Sequence, residues 1–423
     1  MVQEFSVCNY LSIGDWQTIS FEATSDKTLR KELTIEPKLG TSILKANLIY
    51  GANATGKSNM LSAMNALWVL LLFPAQETHE KIKIYRPFAT KYGEPTHFKI
   101  VFWINSRKFE YELVHDENKI HYEKMLYSSD KGVLSDMYKR EQDGTITFGN
   151  TLKMTSKQKN DLIKEVLPNH TILSTLSKKN LSVPAIFHEL HSWISNNVKI
   201  SQRSTSMLDI AEEASNDPKL KAFLLNILAV ADFNIIDFRI VQQNLMSPDL
   251  EKRIHEEYPE DAANILKEFS KKSKTLIFTH KKGDSVFDID YSLESSGTSE
   301  YFRLCRMLYN LLNEDLVIIE DEIEDSLHYD LLIHFLETFL QSNVKSQLIF
   351  TTHSQMILNE DWLIRRDMIW MTEKDRDNAY SKFYRVSDLG IHKNLSLLNA
   401  YKIGKLGGKP RLGSPLLNIS ENK

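Results

Sequence analysis

The stretch LIYGANATGKSNM, residues 48–60, has the spacing GxxxxGK[ST] and is the strongest indication of fold in the sequence. Apolar residues before it predict a strand, and residues 58–73 predict a helix directly after it. The two glycines let the backbone curl so that its N–H groups point at phosphate oxygens. The alternative is a chance glycine-rich turn, but such a turn does not require the flanking strand and helix. We therefore predict a phosphate-binding loop in an α/β fold.

Each position of this loop has a predicted role. Lys57 would neutralise the β- and γ-phosphates of a nucleotide, and the Ser58 hydroxyl would hold Mg²⁺. ATP and Mg²⁺ are the expected ligands. The predicted nucleotide-binding residues of the loop are Gly51, Ala52, Asn53, Ala54, Thr55, Gly56, Lys57, Ser58 and Asn59.

A second motif, LVIIEDEIEDSLH at residues 316–328, is an apolar strand that ends in acidic residues. Asp321 would hold Mg²⁺ at the carboxyl end of the strand, and Glu322 would polarise the attacking water. Glu320 occupies a position that is normally apolar. The alternative is an ordinary acidic strand end, which the phosphate loop elsewhere in the chain makes the weaker interpretation.

A third motif, LIFTTHS at residues 348–354, is another apolar strand, and it ends at His353. A segment of helix length, roughly residues 329–341, separates it from the acidic strand. That spacing predicts neighbouring strands of a mostly parallel, buried sheet. His353 could then reach a γ-phosphate or the attacking water, although a lone histidine at a strand end is more often structural.

A fourth stretch, LESSGTSEYFRL at residues 293–304, opens from small polar residues into an amphipathic helix that begins at about residue 299. A helix start of this kind favours a bound anion. In isolation the pattern describes only a capped helix. Its place just before the acidic strand favours a phosphate-binding role for Ser295, Ser296, Gly297 and Thr298.

These four motifs, in this order, resemble the ATPase heads of the ABC class. The opening FSVCNYLSIGDWQTISF at residues 5–21 is similar to the NFRSF opening of soluble ABC ATPases of the OLD-like and abortive-infection group, of the RloA and AbiL type. ESSGTSE at 294–300 is similar to the degenerate signature of that group. DEIEDSLH at 321–328 and the tail LNAYKIGKLGGKP at 398–410 are similar to two further blocks.

The resemblance implies a working arrangement as well as a fold. In such ATPases the signature of one copy closes on the nucleotide held by a second copy, so ATP would draw two chains into a homodimer or a higher homo-oligomer. Residues 325–328 would then lie at the dimer interface. The implied fold is an α/β ABC-type head with a mixed sheet, a β-rich N-terminal lobe and a helical insertion.

Changes in the residue pattern along the chain predict three regions. Residues 1–150 form an N-terminal ATPase lobe with a hairpin at 98–104 and 108–114. Residues 151–270 form a helical insertion, in which the pair at 217–218 starts an amphipathic helix. A polar linker at 267–274 ends this insertion, and residues 271–423 form the C-terminal ATPase lobe.

Composition excludes some classes of protein. The net charge of −4 gives no general reason to expect nucleic-acid binding. Two cysteines predict reduced thiols rather than a disulfide framework. The longest apolar run, residues 66–73, is too short for a membrane span, and no signal peptide is evident. We expect a cytoplasmic protein with no membrane partner.

Two functions fit these predictions. In the first, the chain is a regulatory ATPase that controls a separate effector, a nuclease or toxin, in bacterial anti-phage defence by abortive infection. No TOPRIM nuclease domain is expected after His353. In the second, it is a DNA repair or recombination ATPase that clamps DNA when ATP is bound. Lys271, Lys272, Lys274, Lys281 and Lys282 could form the basic patch that this function needs, although such lysines are more often a solvated charge run. A transporter's nucleotide-binding subunit fits less well, because the signature is degenerate and the helical insertion is large.

Overall fold

The computed structural model describes residues 1–129, 132–178, 180–200, 205–231, 233–242, 248–259, 261–271, 274–392 and 395–410. Contacts within the chain divide it into two units, each assembled from separate stretches of sequence. Unit 1 comprises Met1–Ser201, Glu314–Ile323 and Leu340–Lys423. Unit 2 comprises Gln202–Asn313 and Glu324–Phe339.

Unit 1 contains an antiparallel sheet built mostly from the N-terminal third of the chain. In sheet order its strands are β10 (Ile146–Phe148), β9 (Leu134–Arg140), β8 (Ile120–Ser128), β7 (Arg107–His115), β6 (Thr96–Ile104), β1 (Val2–Cys8) and β2 (Gln17–Ser20). Strands β6 and β7 pair from Thr96 opposite His115 to Ile104 opposite Arg107. This pairing confirms the predicted hairpin.

A second sheet in unit 1 has the order β11 (Val198–Ile200), β15 (Val317–Glu320), β16 (Gln347–Thr352), β5 (Ala46–Gly51), β17 (Ile369–Lys374) and β18 (Ser381–Arg385). All neighbours from β11 to β17 are parallel, and β18 runs antiparallel. Every residue of β5, β15 and β16 is buried, which explains why apolar residues follow one another in these strands instead of alternating with polar ones. The predicted parallel neighbours and the α/β fold class are confirmed.

Helices and a small hairpin complete unit 1. They are α1 (Arg30–Leu33), β3 (Thr34–Lys38), β4 (Thr41–Leu44), α2 (Lys57–Leu72), α3 (Ser156–Glu165), α4 (Ile172–Lys178), α5 (Ala185–Asn197) and α12 (Leu397–Lys402). Helix α2 follows the phosphate loop as predicted. The Thr171 hydroxyl, just before α4, donates to the Leu70 carbonyl of α2 at 3.0 Å, and Trp193 of α5 meets Trp68 edge to face. Helices α4 and α5 are thereby fixed to α2.

Unit 2 has its own sheet and helices. These are α6 (Met207–Asn216), α7 (Pro218–Val230), β12 (Ile235–Gln242), α8 (Pro248–Glu257), α9 (Ala262–Lys271), β13 (Lys274–Lys282), β14 (Ser285–Asp290) and α10 (Ser296–Asn313). The sheet order is β12-β13-β14, antiparallel throughout. A shared apolar core includes Leu220, Leu224, Phe238, Phe278, Phe302 and Cys305. Helix α11 (Tyr329–Gln341) coincides with the predicted crossover helix.

Local sequence signals explain where two of these helices begin. The Asp217 carboxylate accepts the backbone N–H groups of Lys219 and Leu220, and Pro218 occupies the first turn. Helix α7 therefore starts as predicted. Helix α10 starts at Ser296, three residues earlier than expected, because the Ser295 hydroxyl accepts the Thr298 N–H at 3.0 Å.

The units differ from the three predicted ranges in one clear respect. Helices α3, α4 and α5 lie in the predicted insertion, 151–270, yet they belong to unit 1. The predicted linker at 267–274 is also largely helical, since α9 continues to Lys271 and β13 begins at Lys274. Lysine and glutamate are good helix formers, so a polar stretch of this kind can extend a helix. None of the helices in the described ranges is both long and apolar enough to cross a membrane.

Candidate nucleotide-binding site

The phosphate loop leaves buried strand β5 and enters helix α2 with a tightly curled backbone. Gly56 has φ +109°, and Ala54 has φ +62°. A Cβ atom at Gly56 would lie 2.2 Å from the Ser381 Oγ, and one at Gly51 would lie 2.6 Å from the Thr372 carbonyl oxygen. Both positions therefore require glycine. At Gly56 both the backbone conformation and the lack of space exclude a side chain, whereas at Gly51 only the lack of space does.

Lys57 and Ser58 lie where the phosphate loop becomes a helix. The Lys57 Nζ donates to the carbonyl oxygens of Gly51 at 2.9 Å and Ala52 at 3.2 Å. Its ammonium group therefore lies inside the curl of its own loop, where a phosphate would replace the carbonyls. The Ser58 side chain is exposed to solvent.

The acidic strand end is organised by a threonine from the neighbouring strand. The buried Thr351 hydroxyl donates to the Asp321 carboxylate at 2.5 Å and accepts the Glu322 backbone N–H at 2.7 Å. One hydroxyl thus fixes two successive acidic residues. No local sequence pattern indicates this contact, because Thr351 lies thirty positions from Asp321 in the chain, on β16.

Glu322 and His353 are brought together by adjacent parallel strands. The Glu322 Oε1 lies 3.4 Å from the His353 Nε2, and both side chains are partly exposed. The backbone of Glu322 has φ +49°, a left-handed conformation that is uncommon for a residue other than glycine. Local strain of this kind is frequent at functional sites.

A cavity of about 660 Å³ adjoins the first half of the phosphate loop. Five of the predicted site residues line it: Gly51, Ala52, Asn53, Thr55 and His353. The lining residues that the sequence interpretation missed are Tyr50, Gln355, Glu373, Lys374, Asp375 and Arg376. Tyr401, Lys409 and Pro410 belong to the tail motif at 398–410, so that resemblance was the one signal that could have found them.

The predicted signature lies in unit 2, at the start of helix α10. The Ser295 Oγ lies 2.8 Å from the Thr298 Oγ1, and Ser296 is exposed. A Cβ atom at Gly297 would approach the Ser326 carbonyl oxygen to 3.2 Å. The signature therefore lies against residues 325–328, the segment that the resemblance assigns to a dimer interface.

The predicted basic patch is only partly described. Lys272 lies outside the described residues, and for Lys271 only the backbone is described. Lys274 forms an ion pair with Glu212 at 2.7 Å. Lys281 and Lys282 are exposed at the end of β13.

The oxygen atoms of the two predicted metal ligands are of the kind that Mg²⁺ prefers. Ser58 offers an exposed hydroxyl and Asp321 a carboxylate, and Mg²⁺ prefers such oxygen ligands together with water and substrate phosphates. Within the described ranges, no group of three or more His, Cys, Asp or Glu side chains is placed to hold a metal.

Solved structures with a similar fold include ATPase heads. The SMC head bound to the C-winged helix domain of ScpA is 14% identical, with a TM-score of 0.43 over 92% of this chain and 99% of that one. The SMC head domain from Thermotoga maritima is 12% identical, with a TM-score of 0.40 over 91% and 98%. RecF–ATP of the RecFOR pathway is 13% identical, with a TM-score of 0.35 over 90% and 97%.

Comparison with curated proteins gives no match. A family model does match, and it covers residues 46–359, from the first residue of β5 to beyond the His353 strand. Its description is "AAA domain, putative AbiEii toxin, Type IV TA system". The match spans well over half of the chain, and this protein belongs to that AAA-domain family of P-loop ATPases.

Proposed function

We propose that this chain binds and hydrolyses ATP, and that two copies close around the nucleotide. One observation carries the proposal. The phosphate loop, His353 and the pair Asp321–Glu322 follow the carboxyl ends of β5, β16 and β15, which are adjacent parallel strands. In open α/β sheets, ligands bind at this edge.

The predicted residues divide the chemistry among them. Lys57 and the loop N–H groups bind the phosphates. Ser58 and Asp321 would hold Mg²⁺, which would supply positive charge beside the transferred group. Glu322 accepts a proton from water as the water oxygen bonds to the γ-phosphorus. The bond from that phosphorus to the bridging oxygen breaks, and ADP and phosphate leave. His353, beside Glu322, orients the water or the γ-phosphate.

The second copy would supply the signature. Helix α10 begins with the exposed Ser296 and the half-buried Gly297, which lies next to Ser326. The partial positive charge at a helix N-terminus favours a phosphate. Ser295, Ser296, Gly297 and Thr298 would therefore contact the γ-phosphate held by the phosphate loop of the partner. Nucleotide binding would tighten the dimer, and hydrolysis would loosen it.

The mass of the protein in solution tests this arrangement. Wild type and Glu322→Gln would each be measured with and without Mg-ATP, since the variant should bind ATP but hydrolyse it slowly. The proposal expects the ATP-bound variant to have the mass of two or more chains. A mass of one chain, under conditions where ATP binding is independently detected, would contradict the second-copy arrangement.

Beyond ATP hydrolysis, the chain would regulate a separate effector, a nuclease or toxin, in anti-phage defence. The family description, which names a toxin and a Type IV TA system, supports this role together with the abortive-infection resemblance. Deleting the gene should increase sensitivity to at least some members of a broad phage panel, and Lys57→Ala should reproduce the deletion. Unchanged sensitivity across the panel would contradict the role.

ATP-dependent clamping of DNA is the second candidate. The exposed Lys281 and Lys282 favour it. Binding to duplex DNA that requires ATP and falls steeply with salt would support this function, because phosphate contacts release counterions. Glutamine in place of both lysines should then reduce the salt dependence.

A further inference from the structure

The cavity beside the phosphate loop lies at the end of the loop that would hold the β- and γ-phosphates. The lysine of such a loop reaches those phosphates, and the Lys57 Nζ lies against the carbonyl oxygens of Gly51 and Ala52. Gly51 and Ala52 also line the cavity, together with His353. The cavity therefore extends the phosphate site on the side where the terminal phosphate would lie.

Two cationic side chains from distant parts of the sequence line this cavity. Arg376 lies in the turn between β17 and β18, is exposed, and makes no hydrogen bond or ion pair with any described residue. Lys409 belongs to the tail, and its Nζ donates to the Lys402 carbonyl oxygen at 2.7 Å. A neutral carbonyl leaves its charge uncompensated.

The acidic residues that line the cavity do not cancel the positive charge of its cationic side chains. Asp375 forms an ion pair with Lys382, which with two backbone N–H groups lowers the pKa of Asp375 to about 2. Glu373 also lines the cavity, and so does Lys374, whose Nζ donates to the Ala379 carbonyl oxygen. The cavity thus contains more positive than negative charge, as an anion site requires.

The tail that carries Lys409 is packed directly on the phosphate loop. Gly408 has φ +65°, and a Cβ atom there would lie 3.6 Å from the Gly51 Cα. At Gly407, with φ +64°, a Cβ atom would meet the Tyr384 hydroxyl at 1.9 Å, and that hydroxyl donates to the Leu406 carbonyl oxygen at 3.0 Å. Two glycines in left-handed conformations therefore hold the tail against the start of the loop.

We propose that Arg376 and Lys409 contact the terminal phosphate of the ATP bound by the same chain, and so make the site prefer ATP to ADP. The inference rests on the proposed ATP binding. It adds two phosphate-binding residues, and neither belongs to the phosphate loop, the acidic strand or the signature. Because ADP lacks the terminal phosphate, the loss of these cations should weaken ATP binding alone.

Nucleotide titration by calorimetry tests the assignment. Mg-ATP and Mg-ADP would be titrated into protein carrying Glu322→Gln, which prevents turnover, with and without Arg376→Ala and Lys409→Ala together. The double substitution should raise the Kd for ATP about tenfold or more, as expected for two charged contacts, and change the Kd for ADP less than about twofold. Arg376→Lys with Lys409→Arg should restore most of the ATP affinity.

Lys405→Ala is the matched control, because Lys405 is an exposed lysine of the same tail that does not line the cavity. It should leave both affinities unchanged. Equal losses for ATP and ADP, or no loss for either, would overturn the assignment while leaving ATP binding itself intact. Failure of the parent protein to bind either nucleotide would instead overturn the proposed function, and this inference with it.

Discussion

The carboxylate of Glu322 and the imidazole of His353 lie 3.4 Å apart, although thirty residues separate them in the chain. The pairing of β15 with β16, with Glu320 opposite Phe350, brings the two strand ends level. Glu322 then turns in a left-handed conformation at φ +49°. In the proposed reaction, this carboxylate accepts the proton of the attacking water.

Glu322→Gln should slow ATP hydrolysis by about 100-fold to 10,000-fold, the usual contribution of a general base, while Mg-ATP still binds. Phosphate release and nucleotide binding would be measured on the same preparation. The matched control is Asp284→Asn, which neutralises an exposed acid in the turn after β13. A Glu322→Gln variant that hydrolyses ATP at the wild-type rate would remove Glu322 from the mechanism.

Thr351→Val should reduce hydrolysis and raise the Mg²⁺ concentration required for half-maximal rate. The substitution keeps the shape but removes the hydroxyl that donates to Asp321 and accepts the Glu322 N–H. An unsatisfied buried N–H costs about 1–3 kcal/mol, so the acidic strand end should shift. We expect a loss of about tenfold in rate, the equivalent of 1.4 kcal/mol.

Thr352→Val provides the comparison for that experiment. Thr352 is the next residue of β16, is also buried, and accepts the Ser354 N–H through its hydroxyl at 3.0 Å. Its substitution should lower stability to a similar extent without changing the Mg²⁺ requirement. Equal effects of the two variants on Mg²⁺ would show that Thr351 has no specific role.

A buried carboxyl in the antiparallel sheet should make stability depend on pH. Burial raises the pKa of Glu123 from 4.5 to about 7, although Arg140 and hydrogen bonds from Ile172, Tyr111 and Tyr138 oppose the change. In the folded protein Glu123 therefore keeps its proton at pH values where the unfolded chain has lost it. Its contribution to stability is fully present below about pH 4.5 and falls as the pH rises to about 7.

Glu123→Gln should remove this component, because the amide does not titrate. At about 1.4 kcal/mol per pH unit between the two pKa values, 4.5 and about 7, the effect is at most about 3.5 kcal/mol. The free energy of unfolding would be measured in urea from pH 5 to pH 8 for both proteins. The difference between wild type and variant should change across this range, and a constant difference would contradict the assignment.

Much of the fold was predictable because its signals are local. The phosphate loop needs its own glycines, the parallel strands each contain consecutive apolar residues, and α7 begins at an Asp-Pro pair. The helix between the acidic and histidine strands was predicted at its observed bounds, 329–341, because the two strands fix its ends. The motifs that depend on a single strand end or helix start could be located in the same way.

The remainder depends on contacts between distant residues. Nothing near Thr351 in the sequence indicates that its hydroxyl holds Asp321, and nothing near Arg376 indicates that it lines the cavity with Lys409. The division into units also depends on such contacts. Helices α4 and α5 have ordinary amphipathic patterns, and only their packing on α2 assigns them to unit 1.

The most direct measurement mixes two inactive variants. One copy carries Lys57→Ala, which removes the phosphate-binding amine, and the other carries Gly297→Asp, which places a negative charge at the signature. Each variant alone should be inactive, with thermal unfolding confirming that both are folded. In an equal mixture, half of the dimers pair the two variants, and each such dimer has one intact site. We expect recovery of about a quarter of the wild-type hydrolysis rate. No recovery above the sum of the two variants would show that the signature does not act on the nucleotide of a second copy.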